Sequence, residues 1–324
     1  MRDPWTAAMR RGDFATAWQV SDAVLAQRNT EEVDCSSWPR HLQFVWRGQS
    51  LHDRRVLVRC YHGLGDTIQF VRLLAPLREL AAEVILWAQP PLLSLLATIK
   101  GVDRLLPLHD GVPGVPHDVD IELMELPHIL RLSVDTIPAD IPYIYVRRDV
   151  HAPAPKGLPY EGRSLRVGIA WQSGEWNSAR SIPSSLIDKF AAVPNTRWHS
   201  LQYDAPCPFD AQSMACKDIR AMAERMTQLD LVISPDTMTA HLAAAIGLPV
   251  WLLLQHECDW RWMSQSTIAK RGRTPWYPTM RLFRQPVPGD WHSVIDQVLS
   301  ALSARAQLIQ AHDIRSVGCT AFSG

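Results

Sequence analysis

The sequence predicts an α/β protein of two domains, each built on a parallel sheet of the Rossmann type. Three observations support this prediction. The chain has 324 residues, more than a single domain usually contains. Short runs rich in β-branched residues alternate with segments whose apolar residues recur at helical spacing, which is typical of parallel strands joined by helices. The stretch 137–162 contains five prolines and interrupts that alternation once, as a connection between domains does.

Residues 1–30 precede the alternation and predict a helical hairpin with a break at Gly12. Small residues and Trp18 on the two helices suit close packing. The hairpin is similar to a single tetratricopeptide-like unit, but one unit cannot bury its own apolar face and no second copy follows. We therefore expect a packing hairpin, with a partner-binding arm as the alternative.

The first α/β domain is expected over 31–150 and a linker over 151–162. Its predicted strands are 55–60, 83–87, 103–108 and 118–122, with helices over 66–80 and 92–99. The second domain is expected over 163–290, followed by a C-terminal helix and tail over 291–324. Its predicted strands are 165–171, 197–202, 229–234, 250–254 and 280–283, with helices over 184–192, 219–228 and 236–246. Gly247, two residues before Pro249, predicts the end of the last of these helices.

The composition argues against several classes of protein. The 33 basic residues balance 33 acidic ones, so no global field attracts nucleic acid or an anionic membrane surface. The longest apolar run, 242–254, falls short of the ~18–20 residues that span a bilayer. The six cysteines are scattered without zinc-ligand spacing, and the N-terminus has no recognisable secretory signal. We expect a cytoplasmic protein with no integral membrane segment and no nucleic-acid partner.

Three strand ends carry polar residues, and ligands of open parallel sheets bind beyond the carboxyl ends of strands. The first is the turn 61–67, where His62, Gly63 and Gly65 precede Asp66. The glycines allow the backbone to approach a ligand, and Asp66 opens a helix. A carboxylate in this position is a candidate catalytic group, and an ordinary helix cap is the alternative. The spacing lacks the third glycine of a dinucleotide-binding turn.

The second strand end, 234–241, begins a helix directly after a buried strand. Free N–H groups and the positive end of the helix dipole there favour an anion such as a phosphate. This turn carries Asp236, Thr237, Met238, Thr239 and His241. The two threonines add hydroxyl donors. The alternative is a plain Asp-capped helix with a histidine facing the core.

The third strand end is the loop 171–181, which is polar and contains one arginine, Arg180. It falls in the same half of the chain as the second, so a phosphate pocket is better supported by both than by either alone. Asp118 and Asp120 match the Asp-x-Asp pattern of metal-using transferases. Such pairs are frequent by chance and no other ligand set accompanies this one, so we expect no metal site.

These motifs together resemble glycosyltransferase family 9, which includes the ADP-heptose heptosyltransferases. The resemblance runs from about residue 46 to 302 and depends on short motifs in a fixed order. They are Gly63-Leu-Gly-Asp66, Gly168-Ile-Ala-Trp171, Arg180-Ser-Ile-Pro183, Ser200-Leu-Gln202 and Ser234-Pro-Asp-Thr-Met-Thr-Ala-His241. Three further motifs are similar to a subgroup fused behind tetratricopeptide repeats, of which the N-terminal hairpin resembles a remnant: Trp260-Arg261-Trp262, Pro275-Trp-Tyr-Pro278 and Leu282-Phe-Arg-Gln285.

The resemblance implies a GT-B fold, in which two Rossmann-like domains face a cleft, and inverting sugar transfer without a metal or cofactor. Asp66 matches the family's proposed general base, with His62, Gly63 and Gly65 on the acceptor side. The nucleotide sugar, with ADP-heptose as a candidate donor, is expected at a set of residues in the second domain: Trp171, Ser173, Arg180, Gln202, Asp236, Thr237, Met238, Thr239 and His241. The acceptor is a glycan, a protein or a small molecule. Glu125 stands where relatives often have a serine, which leaves donor and acceptor identity open.

Two other functions stay open at this point. A nucleotide-sugar epimerase uses the same fold, although the pairing of the Gly-Leu-Gly-Asp and Arg-Ser-Ile-Pro motifs favours transfer. A non-catalytic binding protein could also keep the fold, and the retained Asp66, Arg180 and Asp236 argue against that alternative.

Overall fold

The structure is a computed structural model and describes residues 3–31, 45–147 and 164–319. Contacts divide the chain into two compact units. Unit 1 comprises Met1–Tyr145 and Asp259–Pro278, and unit 2 comprises Val146–Cys258 and Thr279–Gly324. The expected linker 151–162 lies outside the described residues. Both units are α/β structures on parallel sheets, as the alternation of strands and helices predicts.

The described residues of unit 1 form four strands: β1 Arg55–Arg59, β2 Glu83–Ala88, β3 Arg104–Pro107 and β4 Val119–Glu122. They form a parallel sheet in the order β3-β2-β1-β4. All four lie within the predicted strands, give or take one residue. The interior residues of β1 and β2 are buried on both faces, because helices cover both faces of a parallel sheet. β1 and β4 are neighbours, so the turn after β1 lies next to the end of β4 at Glu122.

The helices of unit 1 are α1 Pro4–Arg11, α2 Phe14–Glu31, α3 Leu64–Phe70, α4 Leu74–Leu80, α5 Leu93–Leu96, α6 Leu126–Ile129 and α10 Gln265–Arg271. The predicted single helix over 66–80 is divided, because a 3-10 turn, Val71–Leu73, separates α3 from α4. Pro76 explains the division, since it has no N–H to donate to the carbonyl four residues earlier. α4 accommodates Pro76 in its first turn, where no intrahelical N–H bond is required.

The N-terminal hairpin forms as predicted and belongs to unit 1 instead of making a separate domain. Gly12 ends α1 in the left-handed conformation, with φ of 78°. Trp18 of α2 is 6% exposed, and its Nε1 donates to the carbonyl oxygen of Leu132 at 2.7 Å. Asp22 of α2 pairs with Arg131 at 2.7 Å. The hairpin is therefore packed onto unit 1 through an indole and an ion pair.

The segment 259–278, here called the inserted segment, corrects the expected domain boundaries. The expected second domain ran continuously over 163–290, but the inserted segment packs with unit 1. Arg72 explains why: its guanidinium lies between the rings of Tyr143 and Tyr277, 4.2 and 4.3 Å from their centroids. It also donates to the carbonyl oxygen of Trp276, whose side chain is fully buried. These contacts join residues far apart in sequence, which no local pattern reveals.

Where the structure describes unit 2, it has six strands: β5 Leu165–Ile169, β6 Thr196–Ser200, β7 Gln212–Ser213, β8 Leu231–Pro235, β9 Val250–Leu254 and β10 Met280–Arg284. They form a parallel sheet in the order β10-β9-β8-β5-β6-β7. Five of the six strands are predicted. The sixth, β7, has only two residues and shows no period that a sequence reading can detect. β8 is buried at all five positions and lies near the centre of the sheet.

The helices of unit 2 are α7 Ser184–Ile187, α8 Ile219–Met226, α9 Met238–Ala245 and α11 Trp291–Cys319. Gly247 follows α9 with φ of 90°, as its predicted role as a helix stop requires. α11 begins at the predicted residue, but it is not a separate C-terminal element, because Val294, Ile295 and Leu302 are fully buried in the core of unit 2. No helix in the described part of the chain is both long and apolar enough to cross a membrane.

Candidate functional site

The turn between β8 and α9 lies at the carboxyl end of a central strand of unit 2. β8 continues to Pro235, and α9 begins at Met238 with Thr237 as its N-cap, so the helix starts two residues later than predicted. Thr237 is extended, with φ of −140°, and its hydroxyl lies 3.1 Å from that of Ser234. The N–H groups at the start of a helix have no partner within the helix. The turn therefore presents N–H groups and hydroxyls at the same place.

Asp236 and His241 form a buried pair beneath this turn. His241 Nε2 lies 3.4 Å from Asp236 Oδ1, and the two residues are 3% and 9% exposed. The sequence offered Asp236 as a helix cap, but the N-cap position belongs to Thr237. Thr239, in the first turn of α9, is 7% exposed. The Asp236 carboxylate and the His241 imidazole thus lie within ion-pair distance of each other at the N-terminal end of α9.

Arg180 connects the loop after β5 with the start of α9. It lies at the end of a 3-10 segment, Glu175–Arg180, within the 171–181 loop. Its Nη1 donates to the carbonyl oxygen of Asp236 at 2.7 Å. The two strand ends that the sequence singled out in this half of the chain are therefore adjacent, with an arginine side chain between them.

Gln202, just beyond the end of β6, holds the first residues of the same loop. Its Oε1 accepts hydrogen bonds from the backbone N–H groups of Trp171 and Gln172, at 3.2 and 3.0 Å. Ser173 closes the loop from the other side, with its Oγ 3.0 Å from Ser181 Oγ. The Trp171 side chain is 1% exposed and lies in the core of unit 2. The indole therefore lies in the core, and the backbone N–H and carbonyl oxygen of Trp171 bond to Gln202 and Ile182, so this residue shapes the loop.

A cavity of about 420 Å³ lies beside Gln202, at the carboxyl ends of β6 and β7. Its lining includes Ser200, Tyr203 and Asp204. The volume is within the range of pockets that bind small molecules, ~300–1,000 Å³. Tyr203 is 47% exposed, so its ring offers a flat aromatic face to solvent. This cavity and the α9 turn lie on the same edge of the sheet, where strands β6 and β8 end.

Asp66 occupies the corresponding edge of unit 1, in the first turn of α3. Its Oδ2 accepts from the backbone N–H of Gly63, the N-cap residue, at 3.0 Å, which is the contact of a capping box. A Cβ on Gly63 would stand 3.1 Å from that oxygen, so glycine leaves room for the cap. Gly65 lies within α3. Asp66 Oδ1 is 2.7 Å from Nη1 of Arg261, and 26% of the Asp66 side chain is exposed.

His62 and Glu122 form a second titratable pair at this edge. His62 Nε2 lies 3.4 Å from Glu122 Oε2, with side-chain exposures of 35% and 8%. The hydrogen bond to Glu122 raises the pKa of His62 above its ordinary value, and burial opposes that rise. Gln89 fixes the turn, since its Nε2 donates to the His62 carbonyl oxygen at 2.8 Å. A half-exposed imidazole therefore stands beside Asp66.

Arg261 is the residue at this edge that sequence reasoning missed. It lies in a 3-10 turn, Trp260–Trp262, of the inserted segment. The Trp-Arg-Trp motif contributes to the family resemblance, which implies no role for this arginine. Arg261 Nη1 also donates to Gln69 Oε1, 192 positions away, at 2.7 Å. An arginine placed directly between two tryptophans is the local signal that could have drawn attention to it.

Both aspartates of the Asp-x-Asp pattern, one just before β4 and one within it, pair with arginines. Asp118 accepts from Arg55 and Asp120 from Arg59. Arg55 holds the pKa of the Asp118 carboxyl well below its usual range. Within the described ranges no group of three or more His, Cys, Asp or Glu side chains could hold a metal ion. Asp118 and Asp120 therefore form ion pairs with arginines in this structure.

Comparisons with known proteins support the fold. No protein-family model matches the chain. Protein FlbA of Caulobacter vibrioides is 22% identical over 292 residues, covering 79% of this chain and 48% of FlbA, so the chain spans about half the length of that relative. The glycosyl transferase family 9 structure from Veillonella parvula matches with a TM-score of 0.50 at 12% identity, covering 79% of this chain and 99% of that chain.

A second solved structure gives the same result. The heptosyltransferase TibC, from enterotoxigenic E. coli and in complex with ADP-D-beta-D-heptose, matches with a TM-score of 0.51 at 16% identity. The match covers 75% of this chain and 66% of TibC. At these identities the likeness establishes the fold. The chain has the α/β fold with parallel sheets of the GT-B-like glycosyltransferases, preceded by short N-terminal helices.

Proposed function

We propose that this protein is an inverting, metal-independent glycosyltransferase that moves a sugar from a nucleotide diphosphate sugar to an acceptor hydroxyl. The observation that carries the proposal is the hydrogen bond from Arg180 to the Asp236 carbonyl oxygen, which places a guanidinium at the α9 turn. The chain around this contact has a glycosyltransferase fold. A leaving diphosphate develops negative charge. N–H groups at a helix start and an adjacent guanidinium are the groups that stabilise it without a metal.

The donor site is assigned to unit 2. Thr237, Met238 and Thr239 supply backbone N–H groups and hydroxyls to the phosphates, and Arg180 supplies positive charge. Asp236 and His241 fix the turn from beneath. The nucleoside is assigned to the cavity beside Gln202, with Ser173 and the Trp171 backbone on the adjoining loop. ADP-heptose is the first donor to test, because TibC, which shares the fold, was solved with that ligand.

The acceptor site is assigned to the turn after β1 in unit 1. Asp66 takes the proton of the acceptor hydroxyl as that hydroxyl attacks the anomeric carbon, since an inverting transfer needs one base. His62, Gly63 and Gly65 border the acceptor. A glycan, a protein and a small molecule are the acceptor classes to test.

A thermal-shift panel of nucleotide sugars tests the proposal. A ligand that binds only the folded state at about 100 times its Kd adds about 2.7 kcal/mol of stability. We expect at least one ADP-, GDP- or UDP-sugar to raise the melting temperature. If no nucleotide sugar in the panel raises the melting temperature, a non-catalytic binding protein would be favoured. A stabilising sugar that is interconverted with its epimer, with no transfer, would assign the fold to a nucleotide-sugar epimerase.

Asp66→Asn tests which group takes the proton. We expect transfer to fall by about 10²–10⁴-fold, the usual contribution of a general base, with donor binding within a few-fold of wild type. His62→Gln is the matched comparison, because His62 is the other titratable group on the same turn. Retained transfer in Asp66→Asn together with its loss in His62→Gln would move the base to the His62–Glu122 pair. Loss of donor binding in Asp66→Asn would leave Asp66 a structural cap.

A further inference from the structure

Arg261 makes an unusual set of contacts for a residue of the inserted segment. Its side chain is 8% exposed and lies 2.7 Å from Asp66 Oδ1 through Nη1. The same Nη1 donates to Gln69 Oε1 at 2.7 Å, and Nε donates to Asp259 Oδ1 at 2.9 Å. One guanidinium therefore faces two carboxylates and an amide. All of these residues belong to unit 1.

Aromatic rings fix the plane of that guanidinium. Its carbon lies 5.4 Å from the centroid of the Phe70 ring and 5.8 Å from that of Trp260. Phe70 and Trp260 are themselves stacked at 6.4 Å. A planar guanidinium held by rings and by Asp259 has few orientations left, so it presents Nη1 to Asp66 in one direction.

We propose that Arg261 is a positioning residue that orients the Asp66 carboxylate for proton removal. The proposal builds on the glycosyltransferase function above. Asp66 is held at two points, because Oδ2 accepts from the Gly63 N–H and Oδ1 from Arg261. A single contact would let the carboxylate rotate about its terminal bond; two contacts fix the plane of its oxygens. The Asp66 carboxylate is then held in one orientation for an incoming acceptor hydroxyl.

Orientation has a direct consequence for rate. A misplacement of about 1 Å at a reacting group can cost about 100-fold in rate. Arg261 also keeps the carboxylate ionised, because an opposite charge in contact favours the charged form. Among the described residues, the titratable groups near the pair include His62, Glu122, Asp259 and Tyr277. Arg261 acts through Asp66 and does not itself contact the reacting atoms.

Arg72 provides a matched control. It is also a buried arginine, 5% exposed, and it also ties the inserted segment to α3 and its neighbours through the Trp276 carbonyl oxygen and the Tyr277 ring. In the described part of the chain its guanidinium donates to backbone carbonyl oxygens and to the Tyr143 hydroxyl, not to Asp66. A substitution that merely loosens the inserted segment should thus act alike at Arg72 and Arg261, whereas a positioning role predicts different effects.

The test is a kinetic cycle with the full chain. We expect Arg261→Met to lower kcat by about 100-fold with donor KM changed only a few-fold, while Arg72→Met retains kcat. Arg261→Lys, which restores the charge, should recover part of the loss and supplies a folded variant if Arg261→Met is too unstable. Arg261→Met added to Asp66→Asn should cause no further loss, because its effect passes through Asp66. Equal losses in Arg72→Met and Arg261→Met, or additive losses in the double variant, would overturn the proposal.

A spectroscopic measurement separates this proposal from the proposed function. The carbon-13 signal of the Asp66 carboxyl, assigned by its absence in Asp66→Asn, is followed during an acid titration. We expect its midpoint to rise in Arg261→Met and to stay unchanged in Arg72→Met, whether or not any donor is turned over. An unchanged midpoint in Arg261→Met would refute the contact itself. A raised midpoint without any sugar transfer would leave the contact standing and reject the glycosyltransferase function.

Discussion

His199 lies on β6 with 4% of its surface exposed, and neither of its ring nitrogens has a hydrogen-bond partner among the described residues. Burial, with added repulsion from Arg197 and Arg166, lowers the pKa of His199 from 6.5 to about 4. The neutral imidazole is therefore the form that the folded state holds, whereas the unfolded chain takes up a proton below pH 6.5. This difference links the stability of unit 2 to pH.

We predict that the free energy of unfolding falls as pH decreases from about 6.5 to about 4. The sign follows because the unfolded state binds the proton first in that window. The full shift corresponds to roughly 3 kcal/mol. Denaturant unfolding of wild type and His199→Leu across this range is the measurement. His199→Leu should lose most of the dependence, and the exposed His292→Gln should keep it. An unchanged slope in His199→Leu would show that another group is responsible.

Single residues were predictable where the chemistry is local. Asp66 at a helix start, Arg180 in a polar loop and Gln202 at a strand end could all be read from their neighbours in sequence. Arg261 could not, because its meaning comes from Asp66 and Gln69, which only tertiary folding brings near. Trp171 is expected at the nucleotide sugar, but its indole is buried by packing that the sequence does not reveal.

At the scale of elements, Gly168 in β5 shows how tightly the centre of the second sheet is packed. A Cβ at this position would stand 2.6 Å from Leu229 Cδ1 and 2.7 Å from Leu201 Cδ1. Real Cβ atoms do not approach carbon so closely, so the neighbours or the strand must shift. The glycine of the Gly-Ile-Ala-Trp motif is thus explained by close packing rather than by a ligand.

We predict that Gly168→Ala destabilises the protein by about 1–3 kcal/mol, the usual cost of overpacking a core. Gly174→Ala is the matched control, because a Cβ there meets nothing within 4 Å and the residue lies in the loop that follows the same strand. Its effect should stay within about 0.5 kcal/mol. Chemical denaturation measures both. Equal stability of the two variants would mean that the leucines move aside without cost.

Strands and helices were predictable where their apolar residues recur at a regular spacing in the sequence. Nine of the ten strands in the described residues coincide with predicted strands, and β7 is too short to show a pattern. The break at Val71–Leu73 could have been predicted, since Pro76 stands inside the expected helix. The start of α9 at Met238 could not, because Pro235 suits either the end of a strand or the first turn of a helix.

At the scale of the whole molecule, the chain does not divide where its composition changes. Unit 1 needs the inserted segment, because Trp262, Trp276 and Tyr277 are fully buried. No sequence pattern marks the return of the chain to a unit that it has already left. The proline-rich stretch predicted that the chain passes from one unit to the other once, whereas the contacts show three such passages.

We therefore predict that a fragment of residues 1–145 does not unfold cooperatively on its own. Without the three aromatic side chains of the inserted segment, the core of this fragment would contain cavities that water enters. Joining residues 259–278 to the fragment through a flexible linker should restore a cooperative thermal transition. Calorimetry of both fragments is the check. A cooperative transition of 1–145 alone, at the temperature of the fused fragment, would show that the inserted segment contributes little.

The central claim is that the α9 turn binds the diphosphate of a nucleotide sugar, and calorimetric titration of ADP, GDP and UDP tests it most directly. We expect one of them to bind wild type and to bind Thr237→Val about 10–100-fold more weakly, since a hydrogen bond to a charged group contributes about 1.5–3 kcal/mol. Thr196→Val, at the opposite end of β6 from the site, should bind as wild type does. No binding to wild type, or equal affinity in wild type and Thr237→Val, would contradict the claim.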